Sequence, residues 1–595
     1  MTAVEPAVAP RRRLRRQARV DPARTSRGWV LVLVGLHVLL AGVLVRAVYQ
    51  SRFELSNIDG ISYINIARQY LEGHTDAAVN AYWSPLVSWL MVPLMALGVG
   101  DSAALVAVSA AGGLVATALA CRLVLRATGG HGPAALVVVV STAVFALGNL
   151  RVLTPDLLVV AAATALAGAI ARCDDALRSG DRGAQVRASV VLGVVCAVCY
   201  VTKLYLVPVA VVAAAGWLVV RALLERVHGA RLRPLVMVAT AAGVAAVLAA
   251  PWVVVLSTSY GHVTAGSSLS VNLESKFVPD AGSGGTTAAP LWAPPNEHAV
   301  SFGEDRTAQT GTVSSGSAAS TSERLEYYVS QRFAAFQPYL DRIASVAPFA
   351  VAIMVTATLL LVLGRVPARP RPVVLAAALV WVPYFLGYAA ITTAATLGGN
   401  ARYYWPLLTL SLIVACALVP DVLRAVRPPT SRWRRAVVVA LVLVLPASVV
   451  WQHGMGRAAP FSDAPASTGL RYLVAPAQRP EIQRVAEDEL APVIPAGSRL
   501  VGSNYRMTLR LAYYLRGQVY GRAEQGYDIS QQAFRDEMRA AGIDFYIAFT
   551  PASEPAPDLG DLGVQVAEVE SRTTCSDIKG AVVEDCVLRV VRLED

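Results

Sequence analysis

Apolar stretches of about 20 residues recur along most of the first 455 positions, each long enough to cross a bilayer as a helix. The hydrocarbon interior offers backbone groups no water, so such segments must satisfy their own amides, and a helix does. Only 16% of the 595 residues are charged, against roughly 25% in a soluble domain. From residue 455 onward the composition becomes ordinary. The chain therefore reads as a basic N-terminal segment (1–28), a membrane body (29–454) and a soluble domain (455–595).

Eleven crossings are expected: 29–49, 102–121, 132–150, 157–171, 188–201, 204–220, 234–256, 346–364, 372–391, 403–420 and 436–452. Residues 84–98 are also apolar, but a twelfth crossing there would invert every later loop. They are read instead as a helix lying in the membrane interface. One set of connections then holds the arginine clusters, among them Arg172, Arg178, Arg182 and Arg187, and Arg424, Arg427, Arg432, Arg434 and Arg435. The short connections on the other side carry one cation each: Arg151, Lys203 and Arg402. This asymmetry predicts a cytoplasmic N-terminus and an extracytoplasmic C-terminal domain in the plasma membrane.

The net charge of +11 and the run Arg11-Arg12-Arg13-Leu14-Arg15-Arg16 suit the cytoplasmic flank of the first crossing, and nucleic acid is not expected as a partner. The stretch 29–49 is too long for a signal-peptide core and reads as an uncleaved anchor. Of seven cysteines, five lie in or beside apolar spans. Cys575 and Cys586 fall in the soluble tail and are candidates for a disulfide.

Three elements are expected outside the cytoplasm. The first loop, 50–101, carries two interfacial helices, 60–72 and 84–98. The long loop, 257–345, is rich in Gly, Ser, Thr and Ala over about 281–322, a composition that predicts flexibility, and it ends in a helical pattern over 322–345. The tail mixes helices at 480–491, 505–516 and 529–541 with apolar strands at 545–549 and 587–591, a small α/β domain.

Four residues on that side combine chemical character with an unusual place. Asp59, in Asn57-Ile58-Asp59-Gly60, is by local sequence a turn former. Asp156, in Thr154-Pro155-Asp156, is by local sequence a first-turn residue of the fourth span. Lys203 is one of only three lysines among 52 basic residues and is wedged between two spans. A compact point charge there suits an anion, although a snorkelling end residue would look the same. Arg402 follows Gly398-Gly399 and precedes Tyr403-Tyr404-Trp405, which fits either an aromatic belt or a bidentate phosphate grip. His74 and Asp76 share the first loop with Asp59 and leave a divalent metal open. No cofactor is assigned, because the chain has no Walker loop, Rossmann fingerprint or nucleophile elbow.

Taken in order, Asp59-Gly-Ile-Ser-Tyr63, Ser84-Pro-Leu-Val-Ser-Trp-Leu90, Thr154-Pro-Asp-Leu-Leu158, Tyr200-Val-Thr-Lys203, Pro251-Trp252 and Arg402-Tyr-Tyr-Trp-Pro406 give a pattern that covers most of 29–452. This pattern resembles the GT-C class of membrane glycosyltransferases, especially the aminoarabinose transferase and protein O-mannosyltransferase-like branch. The resemblance implies a polyprenyl-phosphate sugar as donor and a cell-wall glycan, a glycolipid or a protein as acceptor, at the bacterial cell envelope. It implies Asp59 as the catalytic carboxylate, Asp156 as the second acid, and Lys203 and Arg402 as ligands of the donor phosphate. Tyr63, Trp83 and Tyr403 are expected to line the site. Two departures stand out: Gly60 follows Asp59 where relatives often have a second acid, and Trp83-Ser84 precede Pro85 where many have a charged residue or His. Inverting sugar transfer is the reading favoured. A flippase for a lipid-linked saccharide, or a lipid-linked glycan ligase or polymerase, is the alternative.

Overall fold

The computed structural model describes residues 26–55, 57–225, 232–277, 291–309, 321–346, 349–391, 401–425, 432–455, 470–474, 476–521, 529, 532–559, 562–573, 575 and 583–594. Helices dominate the first part. They are α1 (Arg27–Gln50), α2 (Ile58–Glu72), α3 (Leu86–Ala96), α4 (Asp101–Thr128), α5 (Gly132–Gly148), α6 (Asp156–Ser179) and α7 (Arg182–Thr202). After them come α8 (Leu206–Glu225), α9 (Leu232–Tyr260), α10 (Thr321–Val346), α11 (Ala350–Val362), α12 (Arg371–Ile391), α13 (Trp405–Ala425) and α14 (Arg432–Gly454).

Among the described residues nine helices are long and apolar enough to cross a membrane, or ten if α10 and α11 form one bent span. The chain is thus a multi-pass membrane protein with somewhat fewer qualifying spans than the eleven expected. Helices also lie on the two expected crossings outside that count, 346–364 and 436–452. The first of these carries only the 13-residue α11, and the second carries α14. Helix α3 has 11 residues, about 16 Å at 1.5 Å per residue, well short of a bilayer core of about 30 Å. It does not span.

The core sits around α6, which packs against α4, α7 and α12. A Cβ at Gly112 of α4 would lie 2.9 Å from the Leu158 amide nitrogen, so only glycine lets these two backbones approach so closely. At the far end of α6 the buried Asp174 carboxylate accepts from Trp217 Nε1 at 3.2 Å and pairs with Arg221 and Arg178. An unpaired charge would be costly at that depth, and here it is doubly compensated.

The soluble domain is a five-stranded sheet of order β2-β1-β3-β5-β4, built from β1 (Arg499–Gly502), β2 (Gln518–Val519), β3 (Phe545–Pro551), β4 (Gly563–Thr573) and β5 (Glu584–Leu593). Strand β1 runs parallel to β2 and β3, and β5 runs antiparallel to β3 and β4. Helix α15 (Tyr505–Leu515) makes the crossover from β1 to β2, and α16 (Gln532–Ala540) precedes β3. Cys575 and Cys586 form a disulfide at the end of the β4–β5 hairpin, with Cα atoms 5.7 Å apart.

One stretch departs from its composition. Residues 291–309 lie within the segment expected to be flexible, yet Ala299, Val300, Ser301, Phe302 and Glu304 are buried. They form a strap between the two parts of the molecule. Its first half extends the sheet: Val519 N donates to Val300 O at 2.7 Å and Gly521 N to Trp292 O at 2.9 Å. Phe302 packs between Trp292 and Tyr505. Small polar residues predict mobility only when nothing covers them, and a sheet edge covers these.

Candidate active site at the end of the helix bundle

Asp59 sits in the first turn of α2, which Asn57 caps by accepting from Asp59 N at 2.9 Å. The Asn57 amide also donates to Val152 O at 3.3 Å, tying this turn to the segment just before α6. That segment bends through Leu153, whose φ of 53° is left-handed. A Cβ on Gly60 would stand 3.0 Å from Leu153 O and 3.3 Å from Leu105 Cδ2. The missing second acid therefore has a steric reason. Glycine lets α2 settle against the start of α6, and the two acids come to share a neighbourhood.

Arg402, in the 3₁₀ turn Ala401–Tyr404 before α13, donates from Nη2 to Asp59 Oδ2 at 2.5 Å. Its Nε lies 3.5 Å from Asp156 Oδ2, an ion-pair contact. Lys203 ends α7, and its Nζ donates to Asp156 Oδ1 at 3.0 Å. Both cations lie over the ring of Tyr403, with Lys203 Nζ 5.0 Å and Arg402 Cζ 5.3 Å from its centroid. The structure thus gathers Asp59, Asp156, Lys203, Arg402 and Tyr403 in one cluster. Exposure separates the two acids: the Asp59 side chain is 19% exposed and that of Asp156 only 3%. Only Asp59 is open to a reactant.

Tyr63 is one turn along α2, with its ring 5.0 Å from that of Trp83. Burial, followed by the charges of Asp59 and Asp156, holds its hydroxyl well above the ordinary tyrosine range, so it stays a neutral donor beside both acids. The Trp83 indole donates to Gly303 O of the strap at 2.9 Å.

Sequence reasoning missed Arg306. Its guanidinium stacks over Tyr82 at 5.3 Å and Phe302 at 5.8 Å. Tyr82 and then Asp59 hold it above the usual arginine range despite burial. Its Nε is buried without a hydrogen bond, and it makes no ion pair among the described residues. The only signal in the sequence is the triplet Glu304-Asp305-Arg306, charged residues inside a stretch otherwise low in charge.

His74 and Asp76 do not join the cluster as metal ligands. The His74 ring stacks on His298 with centroids 3.7 Å apart. Among the described residues no group of three or more His, Cys, Asp or Glu side chains is placed to hold a metal ion.

No protein-family model matches the sequence, and no curated protein matches it. Solved structures do match. ArnT from Cupriavidus metallidurans bound to undecaprenyl phosphate is 16% identical with a TM-score of 0.51, covering 95% of this chain and 98% of that one. The apo state of the same protein gives 16% and 0.50 over the same shares. The archaeal oligosaccharyltransferase AglB from Archaeoglobus fulgidus, in complex with an inhibitory peptide and a dolichol-phosphate, is 11% identical with a TM-score of 0.52, covering 88% of this chain and 70% of that one. At such identities the likeness concerns the fold alone. The chain thus shares its fold with these two membrane proteins over most of its length.

Proposed function

We propose that this protein is a GT-C glycosyltransferase that moves a sugar from a polyprenyl-phosphate donor to an acceptor outside the cytoplasm, with inversion at the anomeric carbon. The reading rests on one observation: the half-open acid Asp59 shares the Arg402 guanidinium with the buried acid Asp156, and Lys203 holds Asp156 from its other side. Two solved proteins of this fold carry polyprenyl-type phosphates, which supports a lipid-phosphate donor. The arginine asymmetry of the loops supports a site facing away from the cytoplasm.

The chemistry follows from the charges. Each acid is neutralised by a cation. A donor phosphate competes for Lys203 and Arg402, and Arg306 offers a further guanidinium without a carboxylate to give up. As Arg402 turns to the phosphate, Asp59 is released to accept a proton. The acceptor hydroxyl attacks the anomeric carbon while the bond to the phosphate oxygen breaks, and the proton passes to Asp59 Oδ2. The charge that builds on the leaving phosphate is held by Lys203, Arg402 and Arg306 in a partly dehydrated setting. Asp156 keeps Lys203 and Arg402 in place.

The test is Asp59→Asn in membranes supplied with radiolabelled polyprenyl-phosphate sugar. Transfer should fall by roughly 10²–10⁴-fold, and undiminished transfer would refute the role. Labelling of acceptor by purified protein in detergent separates transfer from flipping, which needs a sealed bilayer.

A further inference from the structure

The Glu304 carboxyl group is buried where α2, the loop before α3 and the strap meet. Its Oε1 accepts from Val300 N at 2.6 Å, and its Oε2 accepts from Asn65 Nδ2 at 2.8 Å and Gln69 Nε2 at 3.2 Å, the latter also donating to His298 O of the strap at 3.2 Å. Asn65 and Gln69 stand one turn apart on α2, the helix that begins with Asp59. Asn80 donates to Glu304 O, and Trp83 donates to the preceding carbonyl. Two residues further on the strap lies Arg306. One side chain therefore connects the helix bearing the acid to the strap bearing the unpaired cation, with the site between them.

We infer that Glu304 is a positioning residue, whose carboxyl group sets Asp59 and Arg306 against each other by clasping α2 to the strap. The assignment of Arg306 and Asp59 to one site is that of the proposed function, and the inference rests on it.

The clasp works as the neutral acid. No cation pairs with Glu304 among the described residues. The charged and titratable groups on the elements around it are Asp59, Tyr63, Arg68, Tyr70 and Glu72 of α2, His74, Asp76 and Tyr82 of the loop before α3, Glu297, His298, Asp305 and Arg306 of the strap, and Tyr505, Arg506, Arg510, Tyr513 and Tyr514 of α15. Of these Arg68 draws the carboxyl group down, but it is already paired with Asp101. Burial dominates and pushes Glu304 up to about 8. Ionisation leaves a buried carboxylate with no cation beside it, so the clasp loosens above the pH at which Glu304 titrates.

Hydrogen exchange of the full chain in detergent micelles reads the clasp without assuming any reaction. After correction for intrinsic rates, peptides covering 60–70 and 299–306 should exchange at least about tenfold faster at pH 9 than at pH 6.5 in the wild type, and equally at both in Glu304→Gln. Equal protection of the wild type at both pH values overturns the inference, and so does loosening that persists in Glu304→Gln. With donor and acceptor present, wild-type turnover should fall over the same interval and that of Glu304→Gln should not. A turnover that falls alike in both proteins also overturns it. If no donor supports transfer at all, the proposed function fails while the exchange result still decides the clasp.

Discussion

The Arg402 guanidinium bonds the Asp59 carboxylate across 343 positions of sequence, and it reaches Asp156 with a different nitrogen. A fork that serves two acids at once is something a lysine does not supply. Arg402→Lys should therefore keep the charge but lose one contact, lowering turnover with donor by roughly 10²-fold, about 2.7 kcal/mol of barrier at 1.36 kcal/mol per tenfold. Arg402→Ala leaves buried Asp156 short of a partner and should cost about 3–5 kcal/mol of stability as well. Steady-state transfer and thermal unfolding in detergent separate the two effects.

Gly60 is where α2 rests on the Leu153 carbonyl. Gly60→Ala brings a methyl group to 3.0 Å from that oxygen, so the helix start must move or the turn must yield, at about 1–3 kcal/mol. Because Asp59 is the adjacent residue, the expected signature is a fall in kcat larger than the change in melting temperature implies. A variant with unchanged kcat would show that Asp59 tolerates the shift.

Asp174, Trp217 and Arg221 form the buried charge cluster at the opposite end of α6. Arg221→Met strips Asp174 of its closest cation and should destabilise the protein by about 3–5 kcal/mol. The site is a helix length away, so KM for donor should stay constant in whatever fraction remains folded. Differential scanning fluorimetry and donor titration together check both halves.

The Cys575–Cys586 bridge closes a loop of 11 residues, which corresponds to about 3 kcal/mol of unfolded-state entropy. Replacing both residues with serine should open the β4–β5 hairpin to protease while the membrane helices remain protected. Limited proteolysis with and without reductant reads this directly.

Glu304 also predicts a pH dependence of stability. Its folded-state pKa, about 8, is raised above the ordinary glutamate value of 4.5. The folded protein therefore holds this proton more tightly than the unfolded chain does. The contribution is fully present below about pH 4.5 and is lost as pH rises through 8. Melting temperatures measured from pH 5 to 9 should decline more steeply in the wild type than in Glu304→Gln.

Much of this was legible in the sequence because bilayers impose strong rules. The nine qualifying spans fall on stretches that hydropathy alone marks, and α2 and α3 lie within one or two residues of the helices expected in the first loop. The convergence of Asp59, Asp156, Lys203 and Arg402 follows from the parity of crossings, which puts residues far apart in the chain at one end of the bundle. The strap was not legible. Its burial depends on Val519 and Gly521 of a distant sheet and on Asn65, Gln69 and Asn80 of the first loop, and no local pattern announces such partners. Strand β4, with mixed exposure and a bulge, likewise lacks the alternation by which strands are recognised.

Because the strap completes the edge of β2 and also grips the first loop, the tail is not a detachable module. Recombination that grafted a foreign tail onto this bundle would leave the strap without its seat, and a tail transferred alone would carry a bare edge into its new host. Segments lying more than 200 residues apart (Gln518 bonds to Ala299 across 219 positions) must therefore be inherited together, and changes in one are expected to be answered by changes in the other.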